Sequence, residues 1–452
     1  MLLILYWYIQ TRVPAQYRIT GSSASAIASS IETGIRDGRL PGGAVVPAVR
    51  TLASTLTVSP STVAAAYRAL TNRGLLQSHG RRGTRVRHRP PLPTRTPAPI
   101  PSHVRNLATG SPNSALLPDL APALAAIDPT QRSYGERANL SALLTLARLQ
   151  LERDGIPSAA LAVTGGALDG IERALQAHLR PGDRIAIEDP GYPGVIDLVA
   201  ALGLVPEPMA LDDAGVLPAE LERALRRRAA ACILTPRAQN PTGAAFDADR
   251  AAELRRVVRR HPEVLVIEDD HAGPIAGTPA FTLCDRPRRH WVVVRSVSKS
   301  LGPDLRLAVL SGDPTTIARV EGRQLIGTGW VSHVLQRLVA NLWSDPATTE
   351  RVQRAAATYT ARRRGLLDAL ARRGIAAHGR SGLNVWIPVA EELPVVRSLL
   401  DAGWAVNGGE RYRIASGPAI RITITTLAAD ELEPLADAVA ASLAPAQRTH
   451  SP

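Results

Sequence analysis

The sequence lacks the residues that mark disulfide-rich, zinc-knuckle or membrane-spanning proteins. Its 452 residues include only two cysteines, Cys232 and Cys284, which do not form a CxxC pair. This spacing supports neither a disulfide framework nor a zinc knuckle, and it fits a reducing cytoplasm. The first nine residues are apolar, but the run is too short to cross a bilayer and has no basic flank typical of a signal peptide. We expect residues 1–18 to form a poorly ordered or misassigned extension.

Lysine is almost absent. Of 53 basic side chains, Lys299 is the only lysine, so the sequence uses arginine wherever a plain cation is enough. Arginine cannot lose its proton at accessible pH, whereas a lysine amine can form a Schiff base with a carbonyl group. Lys299 also ends the run SVSK, directly after a strand-like apolar stretch. We therefore interpret Lys299 as a nucleophile that is kept for its chemistry.

What the sequence has in excess is arginine near its N-terminus. Residues 20–89 hold ten arginines against two acids, Glu32 and Asp37. A basic segment of this kind favours the phosphate backbone of nucleic acid, because each neutralised phosphate releases counterions. Charge alone also allows an arginine-rich surface with no role in DNA binding.

The pattern within this segment favours DNA binding. Apolar residues recur every four positions in residues 25–40, which predicts a first helix. A second helix is expected after Pro47 and a third from Pro60, with a short turn between them. The stretch LLQSHGRRGTRV then predicts a β-hairpin with Arg-Arg-Gly at its tip. This order is that of a winged helix-turn-helix, whose recognition helix enters the major groove.

Residues 39–86 resemble the winged helix-turn-helix of GntR-type regulators over nearly the whole motif. The resemblance implies binding to double-stranded operator DNA. It assigns DNA contacts to Arg50, Ser61, Thr62 and Arg68 in the helices and to Arg81, Arg82, Gly83 and Thr84 in the wing. Ser61 stands where the family often has asparagine, so the base preference of relatives does not carry over. The alternative is a head that has lost DNA binding and serves dimerisation.

A proline-rich stretch, RHRPPLPTRTPAPIPSH, follows the basic segment. With six prolines and few large apolar residues it cannot build a core, and we expect it to run extended and semi-rigid. We therefore place the winged head at residues 19–88 and a linker at residues 89–105.

Beyond the linker, short apolar runs alternate with amphipathic stretches of helix length. The runs are LAVTG, RIAIED, ACILTP, VLVIEDD, WVVVRSVS and LRLAVLSG. Such runs are typical of strands buried on both faces, which predicts a mostly parallel sheet covered by helices, with ligand groups at the strand ends. We assign residues 106–345 to this large α/β domain and residues 346–445 to a small C-terminal α+β subdomain.

Polar residues at the ends of these runs match the needs of pyridoxal 5′-phosphate on Lys299. The cofactor requires a carboxylate at its pyridine nitrogen, a donor to its ring oxygen and an aromatic side chain on its face, and Asp269, Asn240 and Tyr192 are the candidates. Its phosphate requires backbone amides at a helix start and a cation. The candidates for the phosphate are Gly166, Ala167, Ser296 and Arg306.

This order of residues resembles the fold type I aminotransferases, and its combination with the head resembles the MocR/GabR transcription regulators across residues 20 to about 445. The resemblance implies that Lys299 holds the cofactor and that the residues above surround it. It adds Arg421, which would grip a substrate carboxylate, and Tyr134, which would reach the phosphate of the neighbouring subunit in a homodimer. The alternative for Arg421 is a surface arginine on an edge strand.

Three positions depart from the family pattern. His271 stands where relatives usually have the tyrosine that bonds the cofactor oxygen, and histidine can change its charge near neutral pH. Gly165 replaces a serine or threonine of the phosphate loop, and Leu168 replaces a common glutamine. We expect cofactor binding to survive these changes and transamination to be weak or vestigial.

Two functions remain open. The leading hypothesis is a cytoplasmic, pyridoxal-phosphate-dependent transcription regulator in which an amino acid, an amine or the cofactor itself acts at Lys299 and changes operator binding. No membrane partner is expected. The alternative is a working aminotransferase with an inherited DNA-binding head, which would also need proton transfer at Lys299 and release of a keto acid.

Overall fold

A computed structural model describes residues 17–72, 75–78, 83–87, 100–130, 133–285 and 288–444. The chain divides into two compact units. We call the described residues up to 87 the head and those from 100 onward the body. Within these ranges no helix has both the length and the apolar character needed to cross a membrane.

The head is a winged helix-turn-helix, as the sequence predicts. Its elements are α1 (Ala24–Arg36), β1 (Val45–Val46), α2 (Val49–Leu56), α3 (Pro60–Asn72), β2 (Leu76–Ser78) and β3 (Thr84–Val86). A left-handed backbone at Thr57 ends α2, and Ser59 caps α3 by accepting a hydrogen bond from the amide of Thr62. Strand β3 pairs antiparallel with both β1 and β2, which gives the hairpin of the wing.

The head has its own hydrophobic core, to which all three helices contribute. The buried residues include Ile27 and Ile31 of α1, Leu52 of α2 and Leu70 of α3. Tyr17, which the sequence assigned to the N-terminal extension, packs against this core and donates from its hydroxyl to the Ser30 carbonyl oxygen at 2.7 Å.

The body alternates strands with helices through most of its length. Its strands are β4 (Arg105–Asn106), β5 (Ala160–Thr164), β6 (Arg184–Glu188), β7 (Val205–Met209), β8 (Leu211–Asp212), β9 (Gly215–Val216), β10 (Ala229–Leu234), β11 (Leu265–Asp270), β12 (Trp291–Ser296), β13 (Ala308–Gly312), β14 (Asn384–Pro388), β15 (Trp404–Ala405), β16 (Asn407–Gly408) and β17 (Ala419–Thr423). Its helices are α4 (Ala121–Ala125), α5 (Ser141–Arg153), α6 (Ala167–His178), α7 (Pro193–Ala201), α8 (Pro218–Arg226), α9 (Ala248–Arg259), α10 (Pro314–Ile326), α11 (His333–Ser344), α12 (Pro346–Ala371), α13 (Glu392–Asp401) and α14 (Leu432–Leu443).

A seven-stranded sheet in the order β5-β13-β12-β11-β10-β6-β7 forms the centre of the body. Strands β12, β11, β10 and β6 are parallel, whereas β13 runs antiparallel to both of its neighbours. The predicted mostly parallel sheet is confirmed. Since parallel strands end at one edge, the polar residues that follow β10, β11 and β12 are brought together there.

The C-terminal part of the body has a separate three-stranded sheet in the order β14-β17-β16, so β17 is its central strand. Strand β4 pairs in parallel with β15, with Arg105 opposite Trp404. The first residues after the linker therefore belong structurally with the C-terminal subdomain, although the sequence placed them at the boundary between the linker and the large domain.

Candidate functional site

A cavity of about 170 Å³ lies at the carboxyl ends of β10, β11 and β12. Most of the cofactor residues predicted from the sequence line it: Ala167, Tyr192, Asn240, Asp269, His271, Ser296, Lys299 and Arg306. The structure thus brings together side chains that are up to 139 positions apart in the printed numbering, between Ala167 and Arg306.

Lys299 lies just beyond the end of β12 and is largely enclosed. Its Nζ donates a hydrogen bond to the carbonyl oxygen of Gly110 at 2.5 Å. Burial, together with the positive charges of Arg421 and Arg306, lowers the pKa of Lys299 to about 8. A useful fraction of the amine is therefore neutral, and hence nucleophilic, near physiological pH.

Asp269 at the end of β11 has a buried polar atom without a partner. Its Oδ1 accepts no hydrogen bond from any residue that the structure describes. Burial, with the nearby charges of Asp270 and Glu188, raises the pKa of Asp269 to about 7. An unpaired buried acceptor is costly, and a protonated pyridine nitrogen is a donor that would satisfy it. The residues present therefore fit pyridoxal phosphate.

The next residue, Asp270, belongs to a closed network. It accepts hydrogen bonds from Arg237 and from Arg295, each at 2.8 Å, and both arginines also bond Asp154. Burial opposes ionisation of Asp270, but the two arginine charges outweigh it and hold the pKa of this carboxyl well below its usual range.

A glycine turn and an arginine, the residues predicted to take the cofactor phosphate, lie close together. Gly166 has φ of +110° and precedes the first turn of α6. This backbone conformation favours glycine, and a Cβ atom here would also lie 2.8 Å from Nη2 of Arg306, which would have to shift. The amide of Gly165 already donates to Asp169 at 2.9 Å. The helix start and the guanidinium together suit a dianionic group.

Arg421 lies on the central strand β17 and is only 3% exposed. The alternative of a surface arginine on an edge strand is therefore wrong. Arg421 donates to Oδ1 of Asn240 at 3.1 Å and to the carbonyl oxygen of Ala108 at 2.5 Å. It has no acidic partner among the described residues, and its burial lowers the pKa of the guanidinium.

His271 does not behave as the sequence suggested. Its Nε2 donates to the carbonyl oxygen of Ala238 at 2.8 Å, which fixes the hydrogen on that nitrogen. Burial and the charge of Lys299 lower the pKa of His271 to about 4. The expectation that it changes charge near neutral pH is wrong, because the enclosed ring next to a lysine disfavours a second positive charge.

The two predicted tyrosines lie in different surroundings. Tyr192 lines the cavity and is 41% exposed, so part of its side chain is accessible. Tyr134 is 93% exposed, does not line the cavity and stands edge-to-face with Trp330 at 5.8 Å between ring centroids. Its role at the phosphate of a neighbouring subunit stays a prediction.

In the head, Arg50, Ser61 and Arg68 are exposed and Thr62 is half-buried. The hydroxyls of Ser61 and Thr62 both contact Oγ of Ser59, at 2.7 and 2.8 Å. Two further predicted contacts, Arg81 and Arg82, lie outside the described residues. Gly83 and Thr84 are described, at the start of β3, and Gly83 has φ of +86°.

Sequence reasoning missed several residues at the cavity. Gly110 and Asn384 line it, and Tyr412 stacks with its ring centroid 5.0 Å from the guanidinium carbon of Arg421. The loop that carries Tyr412 is held by Asp189, whose carboxylate accepts bonds from three consecutive amides of residues 414–416. Only Asp189 had a local signal, because it ends the run RIAIED.

Comparison with known proteins agrees with this geometry. The family model "Aminotransferase class I and II" matches residues 102–439, and "Bacterial regulatory proteins, gntR family" matches residues 23–86. The chain is 39% identical over 421 residues to the vitamin B6 salvage pathway transcriptional repressor PtsJ of Salmonella typhimurium, which covers 92% of this chain and 98% of that protein. The chain belongs to the MocR/GabR-type transcription regulators.

Other similarities fit this MocR/GabR-type regulator. The pyridoxine biosynthesis regulator PdxR of Corynebacterium glutamicum is 28% identical over 351 residues, covering 74% of this chain and 75% of that protein. A crystal structure of Pyrococcus horikoshii kynurenine aminotransferase aligns with a TM-score of 0.69 and 21% identity over 76% of this chain and 91% of that chain. The fold type I architecture and the pyridoxal-phosphate cofactor expected for the regulator are thereby confirmed.

Proposed function

We propose that this regulator binds operator DNA through its head and that its effector is pyridoxal 5′-phosphate itself, captured at Lys299. The observation that carries the proposal is the single lysine of the chain, placed beside a buried carboxylate whose Oδ1 has no hydrogen-bond partner within the described ranges. The names of two relatives, PtsJ and PdxR, refer to vitamin B6 salvage and pyridoxine biosynthesis. Both point to the same vitamin as the ligand.

Each part of the cavity has a task in holding this ligand. When bound, pyridoxal phosphate supplies an aldehyde to the lysine and a basic ring nitrogen to a carboxylate. Lys299 acts as the nucleophile because its lowered pKa leaves part of the amine neutral. Asp269 would accept a hydrogen bond from the ring nitrogen and Tyr192 would cover one face of the ring. The phosphate would be held by Gly166, Ala167, Ser296 and Arg306. Asn240 and His271, which also line the cavity, would face the ring oxygen.

The head is proposed to contact operator DNA through the exposed Arg50, Ser61, Arg68 and the partly exposed Thr62, with Arg81, Arg82, Gly83 and Thr84 in the wing. Entry of the α3 N-terminus into the major groove would place Ser61 near base edges. The arginines would neutralise phosphates. We further propose that the protein works in the cytoplasm and is associated with the nucleoid through this binding.

We also propose that the body forms a homodimer. Large apolar side chains are exposed in one part of the sequence, with Ile326 88% exposed and Leu325 64% exposed, and Tyr134 packs on Trp330 nearby. Exposed apolar side chains of this size favour burial against a partner. Sedimentation measures the oligomeric state of the wild type and of Ile326→Glu. We expect a dimer for the wild type and a weakened dimer for the variant, and a monomeric wild type would contradict the proposal.

The decisive test is a gel-shift experiment with the DNA upstream of the protein's own gene. The wild type and Lys299→Ala are each titrated with and without pyridoxal phosphate. We expect the cofactor to change the affinity of the wild type and to leave that of Lys299→Ala unchanged, with salt-sensitive basal binding in both. Equal cofactor responses in the two proteins would overturn a sensor at Lys299, and no operator binding at all would overturn the regulator.

A working aminotransferase is the second candidate, supported by Arg421. This buried guanidinium has no acidic partner among the described residues, as expected of a group that binds a substrate carboxylate. The test of this candidate is to incubate the full-length protein with a panel of amino acids and to measure the release of keto acid. Sustained turnover together with an operator affinity that no ligand changes would favour the enzyme, whereas stoichiometric capture without turnover would favour the sensor.

A further inference from the structure

A short backbone segment is bonded to two cations, Lys299 in the cavity and Arg421, which bonds Asn240 of the cavity lining. Nζ of Lys299 donates to the Gly110 carbonyl oxygen, and Nη2 of Arg421 donates to the Ala108 carbonyl oxygen, each at 2.5 Å. In addition, Nδ2 of Asn407 donates to the same oxygen of Ala108 at 2.5 Å. We call residues 108–112 the strap.

The residues that flank the strap on both sides are held by hydrogen bonds. On its N-terminal side the amide of Leu107 donates to the Ala405 carbonyl oxygen at 2.9 Å, next to the pairing of β4 with β15. On its C-terminal side the amide of Asn113 donates to the hydroxyl of Tyr359 at 3.0 Å. The strap therefore lies between two anchored segments and contacts the two cations through its first residue, Ala108, and its central residue, Gly110.

The backbone oxygens of Ala108 and Gly110 compete with any ligand for Arg421 and Lys299. Condensation of the Lys299 amine with an aldehyde forms a C=N double bond, and both amine hydrogens leave with the aldehyde oxygen as water. The nitrogen then has no hydrogen of its own for Gly110. A carboxylate that binds Arg421 would likewise compete with the neutral carbonyl of Ala108 for Nη2, because charge-assisted bonds are the stronger ones.

We propose that the strap is an internal competitor that occupies Lys299 and Arg421 in the ligand-free protein and is displaced when a ligand binds, with Asn407 as the residue that positions it. Residue 108 is also among the first body residues after the linker that leads to the head. Displacement of the strap would thus act next to β4, the first strand of the body after the linker. This inference rests on the proposed function.

Asn407 makes the competitor testable without changing a ligand-binding side chain. It stands opposite Arg421 in the pairing of β16 with β17, it does not line the cavity, and its amide holds the Ala108 oxygen that Arg421 also holds. Asn407→Leu keeps the size and removes the donor. Asn341→Leu is the matched control, because Asn341 also donates to a backbone oxygen, that of Ala123 at 3.0 Å, away from the cavity.

The experiment measures hydrogen exchange of the peptide spanning residues 104–113 in the full-length protein, with and without pyridoxal phosphate, after borohydride labelling confirms capture at Lys299. In the wild type we expect the cofactor to speed exchange in this peptide. In Asn407→Leu we expect fast exchange already without cofactor and capture that is about fivefold faster, the effect of losing one hydrogen bond. Asn341→Leu should match the wild type in both, and thermal unfolding checks that each variant is folded.

The outcomes separate this inference from the proposed function. If Lys299 is labelled and the exchange of the peptide does not change, the strap is not a competitor, although the sensor stands. If capture by Asn407→Leu is as slow as in Asn341→Leu, Asn407 does not position the strap. If Lys299 is not labelled in the wild type, the proposed function itself has failed.

Discussion

Two consecutive carboxylates at the end of β11 are buried to nearly the same extent, with Asp269 5% and Asp270 2% exposed, and yet their surroundings are opposite. On one side of the strand, Asp270 closes a network with Arg237, Arg295 and Asp154. On the other, Asp269 faces a cavity with cations, but its Oδ1 has no partner in the part of the chain that the structure describes.

The difference separates structural charges from functional ones. A buried charge is tolerated when its partners are complete, and the pKa of Asp270 is lowered accordingly. The pKa of Asp269 is raised instead, because burial is not offset by a bonded cation. The cavity side of the strand is therefore incomplete without a ligand, whereas the network side is complete by itself.

We expect the largest effect from a substitution in the Asp270 network, on the free energy of unfolding. Asp270→Asn removes the carboxylate that two buried arginines share, so we expect the body to lose about 3–5 kcal/mol of its free energy of unfolding. The measurement is denaturant unfolding of the full chain. Asp437→Asn is the control, since this exposed carboxylate pairs with Arg373 at the surface and should cost less than about 1 kcal/mol. Equal losses of unfolding free energy in the two variants would contradict the distinction between structural and functional charges.

On the cavity side, replacing the aspartate by asparagine should leave the fold intact and weaken ligand binding. Asp269→Asn keeps the shape but cannot stabilise a protonated ring nitrogen, so we expect the affinity for pyridoxal phosphate to fall about tenfold to a hundredfold. Stability should be unchanged or higher, because the variant no longer buries an unpaired carboxylate. Absorbance titration and denaturant unfolding measure the two effects. A loss of stability like that of Asp270→Asn would show that Asp269 is structural.

How far the sequence predicts these two sides depends on where each signal lies. Lys299 and Asp269 each end an apolar run, so strand periodicity and the scarcity of lysine identify them from local sequence. The bonds of Lys299 to Gly110 and of Arg421 to Ala108 involve backbone oxygens, which every residue has, so no residue type marks them. The pairing of β4 with β15 joins two-residue strands about 300 positions apart, too short for a periodic pattern.

His271 illustrates the same limit in a side chain. The sequence gives its residue type, from which a titration near neutral pH follows, but not its burial, its bond to Ala238 or its distance from Lys299. Each of these three is set by tertiary packing. The fold is thus predictable from periodicity, whereas the protonation states of the site are not.

The next effect concerns the pH dependence of capture at Lys299, whose amine lies in the same cavity as Asp269. Capture requires the neutral amine of Lys299, and its pKa of about 8 means that the neutral fraction grows through this range and then levels off. We expect the capture rate to rise about fivefold from pH 7 to pH 8 and little above pH 9, whereas a lysine of ordinary pKa would gain about tenfold per pH unit up to about pH 10. Stopped-flow absorbance follows the rate.

Arg421→Met is the matched test of the cause. Without this positive charge the amine holds its proton more tightly, so the pH at which the capture rate levels off should move upward. A profile identical to that of the wild type would mean that Arg421 does not influence Lys299. A rate that still rises steeply above pH 9 in the wild type would contradict the lowered pKa.

The smallest effect extends the contrast between paired and unpaired charges to the head. Arg39 forms an ion pair with Asp37 at 2.5 Å, whereas Arg68 on α3 is exposed and forms no ion pair with the described residues. If an unpaired charge marks a ligand contact, Arg68→Ala should weaken binding to all DNA sequences alike and reduce the slope of log affinity against log salt by about 1. Arg39→Ala should change the slope by less than half of that, because its charge is already partly neutralised.

Fluorescence anisotropy over a series of salt concentrations measures both slopes. Equal slopes for the two variants would show that charge pairing predicts function only inside the body, where burial makes an unpaired charge costly, and not on a solvated surface.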